Sequence, residues 1–332
     1  MEQHATMQQV TPEQIAAALA ALRRGELVAF PTETVYGLGA DASNEAAVRR
    51  IFAAKGRPAD HPVIVHLPHA GLLEQWAGHV PEAAWRLAER FWPGPLTMIL
   101  PRAAHVLDVV TGGQSTVGLR VPDHPVAQAL LHAFGGGIAA PSANRFGRVS
   151  PTRAEHVRAE LGDAVAVILD GGPCRVGLES TIVDLSGPQP AILRPGHISA
   201  RQIEEVLGVP VSMPAHSRTR APGTLPGHYA PVTAVELVAD ADLEARARAW
   251  LDQGRRVAVM ARRPPPADLQ HVPWRALPDD PVAYGHALYA TLRELDSLRV
   301  ERILVARVPE GEAWTAVRDR LTRAAHGAAQ GV

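Results

Sequence analysis

The chain has 332 residues, of which 46% are hydrophobic and 20% charged, with a formal net charge of -1. Those values suit a globular protein of about two domains and argue against disordered and collagenous classes, while near-neutrality offers a polyanion no overall attraction. A single cysteine, Cys174, excludes an internal disulfide and a multi-cysteine zinc site.

Thr11-Pro12-Glu13-Gln14 supplies an N-cap, a proline at the first helical position and a capping-box glutamine, so a helix is expected before Gly25. Leu27 to Phe30 reads as a buried strand and Pro31 to Gly39 as a loop leaving its end. Helices follow near Asn44 to Ala54 and Glu82 to Phe91. Strands are expected at Val63 to Leu67, Leu96 to Leu100, Thr116 to Val121, Gly137 to Ala140, Val165 to Leu169, Thr181 to Leu185 and Ala191 to Arg194. The alternation lacks strict βαβ regularity, which predicts an α/β fold on a large twisted mixed sheet.

Between Val209 and Val232 prolines recur without periodicity, as in an interdomain linker. Beyond it, strands near Val235 to Val238, Arg256 to Met260 and Arg302 to Val305 alternate with helices near Leu243 to Leu251, Val282 to Leu295 and Trp314 to Ala325. The expected organisation is residues 1–208 as one domain, 209–232 as a linker and 233–332 as a smaller Rossmann-like α/β domain. The run Arg262 to Pro266 reads as an exposed loop. The start, Met1-Glu2-Gln3-His4, lacks a basic flank and long apolar core, and no stretch approaches the roughly 20 apolar residues that span a bilayer. A cytoplasmic protein is expected.

Of the 33 basic residues, 32 are arginine and Lys55 is the one lysine. Where arginine has replaced lysine elsewhere, a retained compact ammonium suits a task that a planar guanidinium cannot perform, although chance survival is the competing account. Ala54-Lys55-Gly56-Arg57-Pro58 places two cations and a glycine in one turn, able to hold phosphates or merely to complement a helix dipole. Neither a P-loop nor a G-x-G-x-x-G motif is present, so any nucleotide site is built differently.

Polar groups gather at strand ends: Thr32, Glu33 and Thr34 after the first strand, Ser142 and Asn144 after Ala140, and Glu179-Ser180-Thr181 before Ile182. Arg120 and Arg194 each end an apolar strand, ready to pair with a ligand anion or with a structural carboxylate. His66 ends another and is read either as a ligand group or as a satisfied core histidine. Ser142 lacks a nucleophile elbow, and the histidines lack metal-ligand spacing.

Taken together these segments resemble the YrdC-type threonylcarbamoyl-AMP synthases in their long, two-domain form. The segments Phe30 to Gly39, Lys55 through His66, Phe91 to Thr97, Val117 to Pro122, Ala140 to Asn144, Glu179 to Thr181, Leu193 to Gly196 and His228-Tyr229-Ala230-Pro231 follow the family's order. The resemblance implies a YrdC-like twisted open sheet and a nucleotidyltransferase that joins L-threonine, bicarbonate and ATP, releasing pyrophosphate. It implies Thr34, His66, Arg120 and Ser180 at threonine, and Lys55, Arg57, His61, Thr116, Ser142, Asn144, Ser150, Arg194 and Tyr229 at ATP. Lys55 and Arg57 would carry catalysis, and Tyr229 would make the linker a lid. Magnesium would arrive with ATP rather than in a protein cage, and a tRNA-modifying transferase complex would take the product.

One departure is Ala221 to Gly227, where family linkers carry basic and aromatic residues and this chain carries none. A non-enzymatic RNA-binding protein of the same fold is the main alternative, separable by threonine- and bicarbonate-dependent pyrophosphate release. Carbamoyl transfer in hydrogenase maturation is a second, disfavoured because its cysteine zinc fingers cannot be built here.

Overall fold

The computed structural model describes residues 10–215 and 217–329, so the N-terminal tetrapeptide read above lies outside the described residues. The chain divides into two compact units. The first holds the chain up to Arg145, Pro151–Arg175 and Glu179–Pro222; the second holds Phe146–Ser150, Val176–Leu178 and the chain from Gly223 onward. Among the described residues no helix is long and apolar enough to cross a membrane.

The first unit runs α1 (Pro12–Arg23), β1 (Val28–Phe30), β2 (Gly37–Asp41), α2 (Glu45–Lys55), β3 (Ile64–His66), α3 (Leu73–Trp76), α4 (Glu82–Phe91), β4 (Leu96–Pro101) and α5 (Asp108–Thr111). It continues with β5 (Thr116–Arg120), α6 (Pro125–Phe134), β6 (Ile138–Ala139), α7 (Ala154–Leu161), β7 (Val167–Ile168), β8 (Thr181–Asp184), β9 (Ala191–Arg194) and α8 (Ala200–Leu207). The nine strands form one sheet in the order β7-β1-β2-β6-β3-β5-β4-β8-β9. Three pairs (β1/β7, β3/β5, β4/β8) are parallel and the other five antiparallel, so the sheet is mixed as expected.

Because side chains alternate across a strand, the register assigns each residue to a face. Leu38, Val65, Leu119, Met98 and Val183 enter the main apolar core, which α2, α4, α7 and α8 complete. The other face is covered unevenly. Over Val28, Phe30 and Ile138 lie α1 and α6, which bury Leu22, Leu130 and Leu131 there. Further along, on the remaining half-face, Ile64, Ile99 and Ile182 cluster with Ala221 and Leu193, and among the described residues no helical side chain belongs to that cluster.

Local chemistry places the elements around this half-face. The Thr11/Gln14 capping box starts α1 as predicted, and Asn44 caps α2 through Ala47 N. Gly56, at φ 61°, ends α2 in the left-handed region that a side chain disfavours, and Arg57 N returns to Phe52 O at 2.9 Å. That reversal lets neighbouring Lys55 and Arg57 take different directions.

The second unit contains β10 (Val235–Val238), α9 (Leu243–Leu251), β11 (Val257–Ala261), β12 (Trp274–Ala276), α10 (Pro281–Ser297), β13 (Arg302–Ala306) and α11 (Thr315–Ala329). Its four strands are all parallel, in the order β10-β13-β11-β12, consistent with a Rossmann-like unit.

Several expectations change. The loop expected to run to Gly39 gives way at Gly37 to β2, which pairs antiparallel with β1, Phe30 opposite Gly37. Two glycines mask that strand's pattern; a Cβ on Gly39 would lie 2.8 Å from the Phe30 ring, so close packing demands the missing side chain. Helices α3, α5, α6, α7 and α8 and strand β12 add to the expected elements, chiefly because short amphipathic runs bounded by turn residues give weak periodicity. The supposed linker does not separate cleanly: Ile192 N donates to Ser212 O at 2.8 Å, and the chain up to Pro222 belongs to the first unit. Within Arg262 to Pro266, a loop as predicted, only Pro264 is exposed, because Arg262 lies over the Trp314 ring and Arg263 bonds Glu244.

Candidate active site

This half-face carries polar side chains on strands that are otherwise apolar. Register places Ile64 and His66 of β3, Thr116, Gly118 and Arg120 of β5, and Ile99 of β4 on this one side. At its centre Gly118 removes the side chain that would otherwise fill the floor. A Cβ there would meet Ile64 Cγ1 and Thr97 Cγ2 at 3.6 Å, ordinary contact, so the glycine reflects open space rather than crowding. A narrow cleft results, lined by Pro62, Ile64, Thr97, Thr116, Gly118 and Arg220 among others.

At the Arg120 end, His66 and Arg120 are register neighbours on the parallel pair β3/β5. The β1–β2 loop reaches them across the face, although β2, β6 and β3 separate β1 from β5 in the sheet. Glu33 Oε1 lies 2.7 Å from Arg120 Nη2, with side-chain exposures of 1% and 5%. That contact is an ion pair whose direction misses hydrogen-bond geometry, since neither atom completes a hydrogen bond; the short distance and burial make it electrostatically significant regardless. The other Glu33 oxygen accepts from Asp123 N at 3.0 Å, and Arg120 Nε donates to Gly94 O at 3.3 Å.

Thr34 is buried beside this pair, its hydroxyl 2.8 Å from Thr32 Oγ1. Ser180 Oγ lies 2.7 Å from Thr97 Oγ1 and accepts from Arg194 at 3.1 Å. His66 packs edge-on to Phe30, with ring centroids 6.1 Å apart. Among the described residues no group completes a hydrogen bond to His66 Nδ1, a rare state for a buried ring nitrogen and one that a ligand can relieve. Burial, then the charge of Arg120, lowers the His66 pKa to about 3, so the imidazole is neutral at neutral pH.

At the opposite end, Lys55 is 3% exposed and donates to the carbonyls of Ser142 and Asn144, both at 2.5 Å. Burial, and next the positive charge of Arg57, push its pKa well below the ordinary value. Arg57 donates to Pro62 O at 2.6 Å. Burial, followed by Arg57, lowers the pKa of His61, with Asp60 opposing and Arg220 adding to the fall. Thr116 lines the cleft nearby.

Eleven of the expected site residues therefore fall in the first unit, grouped at the two ends of this half-face or, for Ser180 and Arg194, beside it. Arg194, expected to meet a ligand anion or a structural carboxylate, donates to Ser180 O at 2.9 Å and to Pro222 O at 3.0 Å, tying β9 to the segment that crosses the face. Arg120, given the same alternatives, has a buried carboxylate partner. Ser150 and Tyr229 belong to the second unit. Tyr229, expected to close over the nucleotide, is 1% exposed, stacked 5.9 Å from Tyr289 with the Arg320 guanidinium 5.0 Å from its ring.

Sequence reasoning missed Glu33 as the Arg120 partner, Thr97 as the Ser180 partner, and Arg220. Glu33 stands among several polar loop residues and Thr97 within a longer motif; both partnerships join residues more than 80 positions apart, with no local signal. Among the described residues no three His, Cys, Asp or Glu side chains converge in a way that could hold a metal ion.

The Sua5/YciO/YrdC family model, described as "Telomere recombination", matches residues 20–196, and one described as "Threonylcarbamoyl-AMP synthase, C-terminal domain" matches residues 198–326. The chain is 42% identical to the threonylcarbamoyl-AMP synthase of Bacillus subtilis, across 95% of this chain and 93% of that protein. Pyrococcus abyssi Sua5, solved in complex with L-threonine, is 41% identical and superposes with a TM-score of 0.87, covering 95% of this chain and 94% of that one. A His/Tyr double-alanine variant of the same protein gives 0.89 at 39% identity, covering 97% and 96%.

Proposed function

The chain belongs to the two-domain threonylcarbamoyl-AMP synthase family, and on that premise we propose that it forms L-threonylcarbamoyl-AMP from L-threonine, bicarbonate and ATP. The observation that carries the reading is the polarity of this half-face. Thr116 and Arg120 lie four residues apart on one face of β5, about 13 Å at roughly 3.3 Å per residue, with Gly118 between them. A triphosphate over the Lys55, Arg57 and Thr116 end and an amino acid at the Arg120 end would bring their reacting groups together over the glycine.

The chemistry needs no enzyme nucleophile. Threonine's amine adds to bicarbonate with loss of water, giving a carbamate. A carbamate oxygen then attacks the α-phosphorus, and the bond to pyrophosphate breaks, yielding the mixed anhydride and pyrophosphate. Positioning and charge neutralisation therefore supply the catalysis. His66, neutral, offers a ring nitrogen to threonine's polar groups, and Arg120 faces its carboxylate while Glu33 limits the pair's net charge. Thr34 and Ser180 contribute hydroxyls.

Lys55 and Arg57 face the phosphate tail, with His61, Thr116, Ser142 and Asn144 around the nucleotide; Arg194 supports this region through Ser180 and Pro222. Magnesium would arrive with ATP and offset part of the phosphate charge, without a dedicated protein cage. The segment ending at Pro222 crosses the cleft and shields a hydrolysable product from water. By the family resemblance, Ser150 and Tyr229 would also serve ATP. The protein acts in the cytoplasm, upstream of a transferase complex that places the threonylcarbamoyl group on tRNA.

Mass spectrometry of a reaction containing ATP, threonine and labelled bicarbonate tests this directly. The labelled carbon should appear in an AMP adduct of threonine; pyrophosphate formed without threonine would point to a different reaction.

A further inference from the structure

The phosphate end of the cleft carries an unexpected cation. Residues Ala221 to Gly227 contain no basic side chain, yet Arg220, immediately before them, lines the cleft together with Thr116 and Pro62. Its backbone is fixed: Arg220 N donates to Gln114 Oε1 at 2.7 Å, and Gln114 Nε2 donates back to Arg220 O at 3.1 Å. The next residue, Ala221, is seated on Ile64, Ile99 and Ile182. The crossing segment thus delivers a guanidinium to the rim at a defined place rather than on a free tether.

Arg57 donates to the carbonyl of Pro62, which lines the cleft together with Arg220, and Arg57 and Arg220 both act on His61. Asp60 faces His61 and Arg220 only at 3.9 Å, too far for a hydrogen bond, and Glu160 opposes the shift at Lys55. Arg220 Nη2 spends one donor on Gly112 O at 2.7 Å, and its side chain remains 48% exposed. A half-solvated guanidinium beside other cations and a loosely approached carboxylate is stabilised by an arriving polyanion.

We infer that Arg220 is a phosphate-binding residue of the cleft, joining Arg57 around the pyrophosphate portion of ATP and supplying the cation that the following linker residues lack. The inference rests on the ATP reading above. Its physical content is a charge-assisted contact made to the polyphosphate and not to threonine.

Titration calorimetry of the full chain with ATP, inorganic tripolyphosphate and threonine, at two salt concentrations, provides the test. Arg220→Gln should weaken ATP and tripolyphosphate about tenfold, lessen their salt dependence and leave threonine binding unchanged; Arg220→Lys should retain most of the affinity. Unchanged phosphate affinity in Arg220→Gln overturns the inference alone. Equal losses for threonine and phosphate overturn it in favour of a linker-pinning role. A wild-type protein that binds neither phosphate ligand overturns the ATP reading and this inference together.

Discussion

Glu33 and Arg120 meet at 2.7 Å, joining a loop after the first strand to the end of a central strand, with both side chains almost wholly withdrawn from water. The pair explains how a cation can end an apolar strand without destabilising it. Removing one member leaves the other charged and buried, which typically costs about 3–5 kcal/mol. Glu33→Ala should therefore lower unfolding free energy by about that amount in denaturant titrations. Glu33→Gln should lose less, because it keeps an acceptor for Asp123 N. A Glu33→Ala protein as stable as the parent would show that the pair contributes nothing to folding.

Lys55 has two structural bonds as well as its proposed role at ATP. Lys55→Ala leaves the carbonyls of Ser142 and Asn144 unpaired, so it should cost about 1–3 kcal/mol and also stop threonine-dependent pyrophosphate release. Lys55→Arg should restore activity only partly, since a planar fork cannot replace a compact ammonium between two carbonyls. Full pyrophosphate release in both variants would remove Lys55 from the mechanism.

His66 gives a pH signature. Its folded pKa of about 3 lies below the ordinary value of 6.5, so the unfolded chain binds the extra proton first and stability falls as the solution is acidified from 6.5 toward 3. Between pH 7.5 and pH 5 this one group should remove about 2 kcal/mol. His66→Asn should flatten that part of the stability profile; an identical acid slope in wild type and variant would mean that His66 titrates normally.

Gly118 tests the cleft floor. Because a Cβ there meets only ordinary contacts, Gly118→Ala should shift stability by no more than about 0.5 kcal/mol. Gly118→Val extends methyl groups into the space over which the two substrates are proposed to meet, and should reduce turnover at least about tenfold, by analogy with the cost of displacing a reacting geometry. Wild-type turnover in Gly118→Val would move the chemistry away from this face.

Legibility in the sequence followed the range of the interactions. The α1 capping box and the helix of Glu82–Phe91 were readable because their determinants lie within one or two turns. Strand β2 was not, because Gly37 and Gly39 are selected by close approach to Phe30 from another strand. The site residues were named from motif order, and most fall on one sheet face, but their partners were hidden. Glu33 and Arg120 are 87 positions apart, and Ser180 and Thr97 83, so only the register of a sheet brings them together. Tyr229 shows the converse: a motif residue whose neighbours Tyr289 and Arg320, 60 and 91 positions further on, carry no motif of their own.

The most direct measurement is a crystal structure with threonine and a non-hydrolysable ATP analogue bound together. The amino-acid carboxylate should lie against Arg120 and His66, the phosphates against Lys55, Arg57 and Arg220, and the α-phosphorus over Gly118. Threonine and nucleotide bound on separate surfaces, or the nucleotide seated away from β5, would contradict the account.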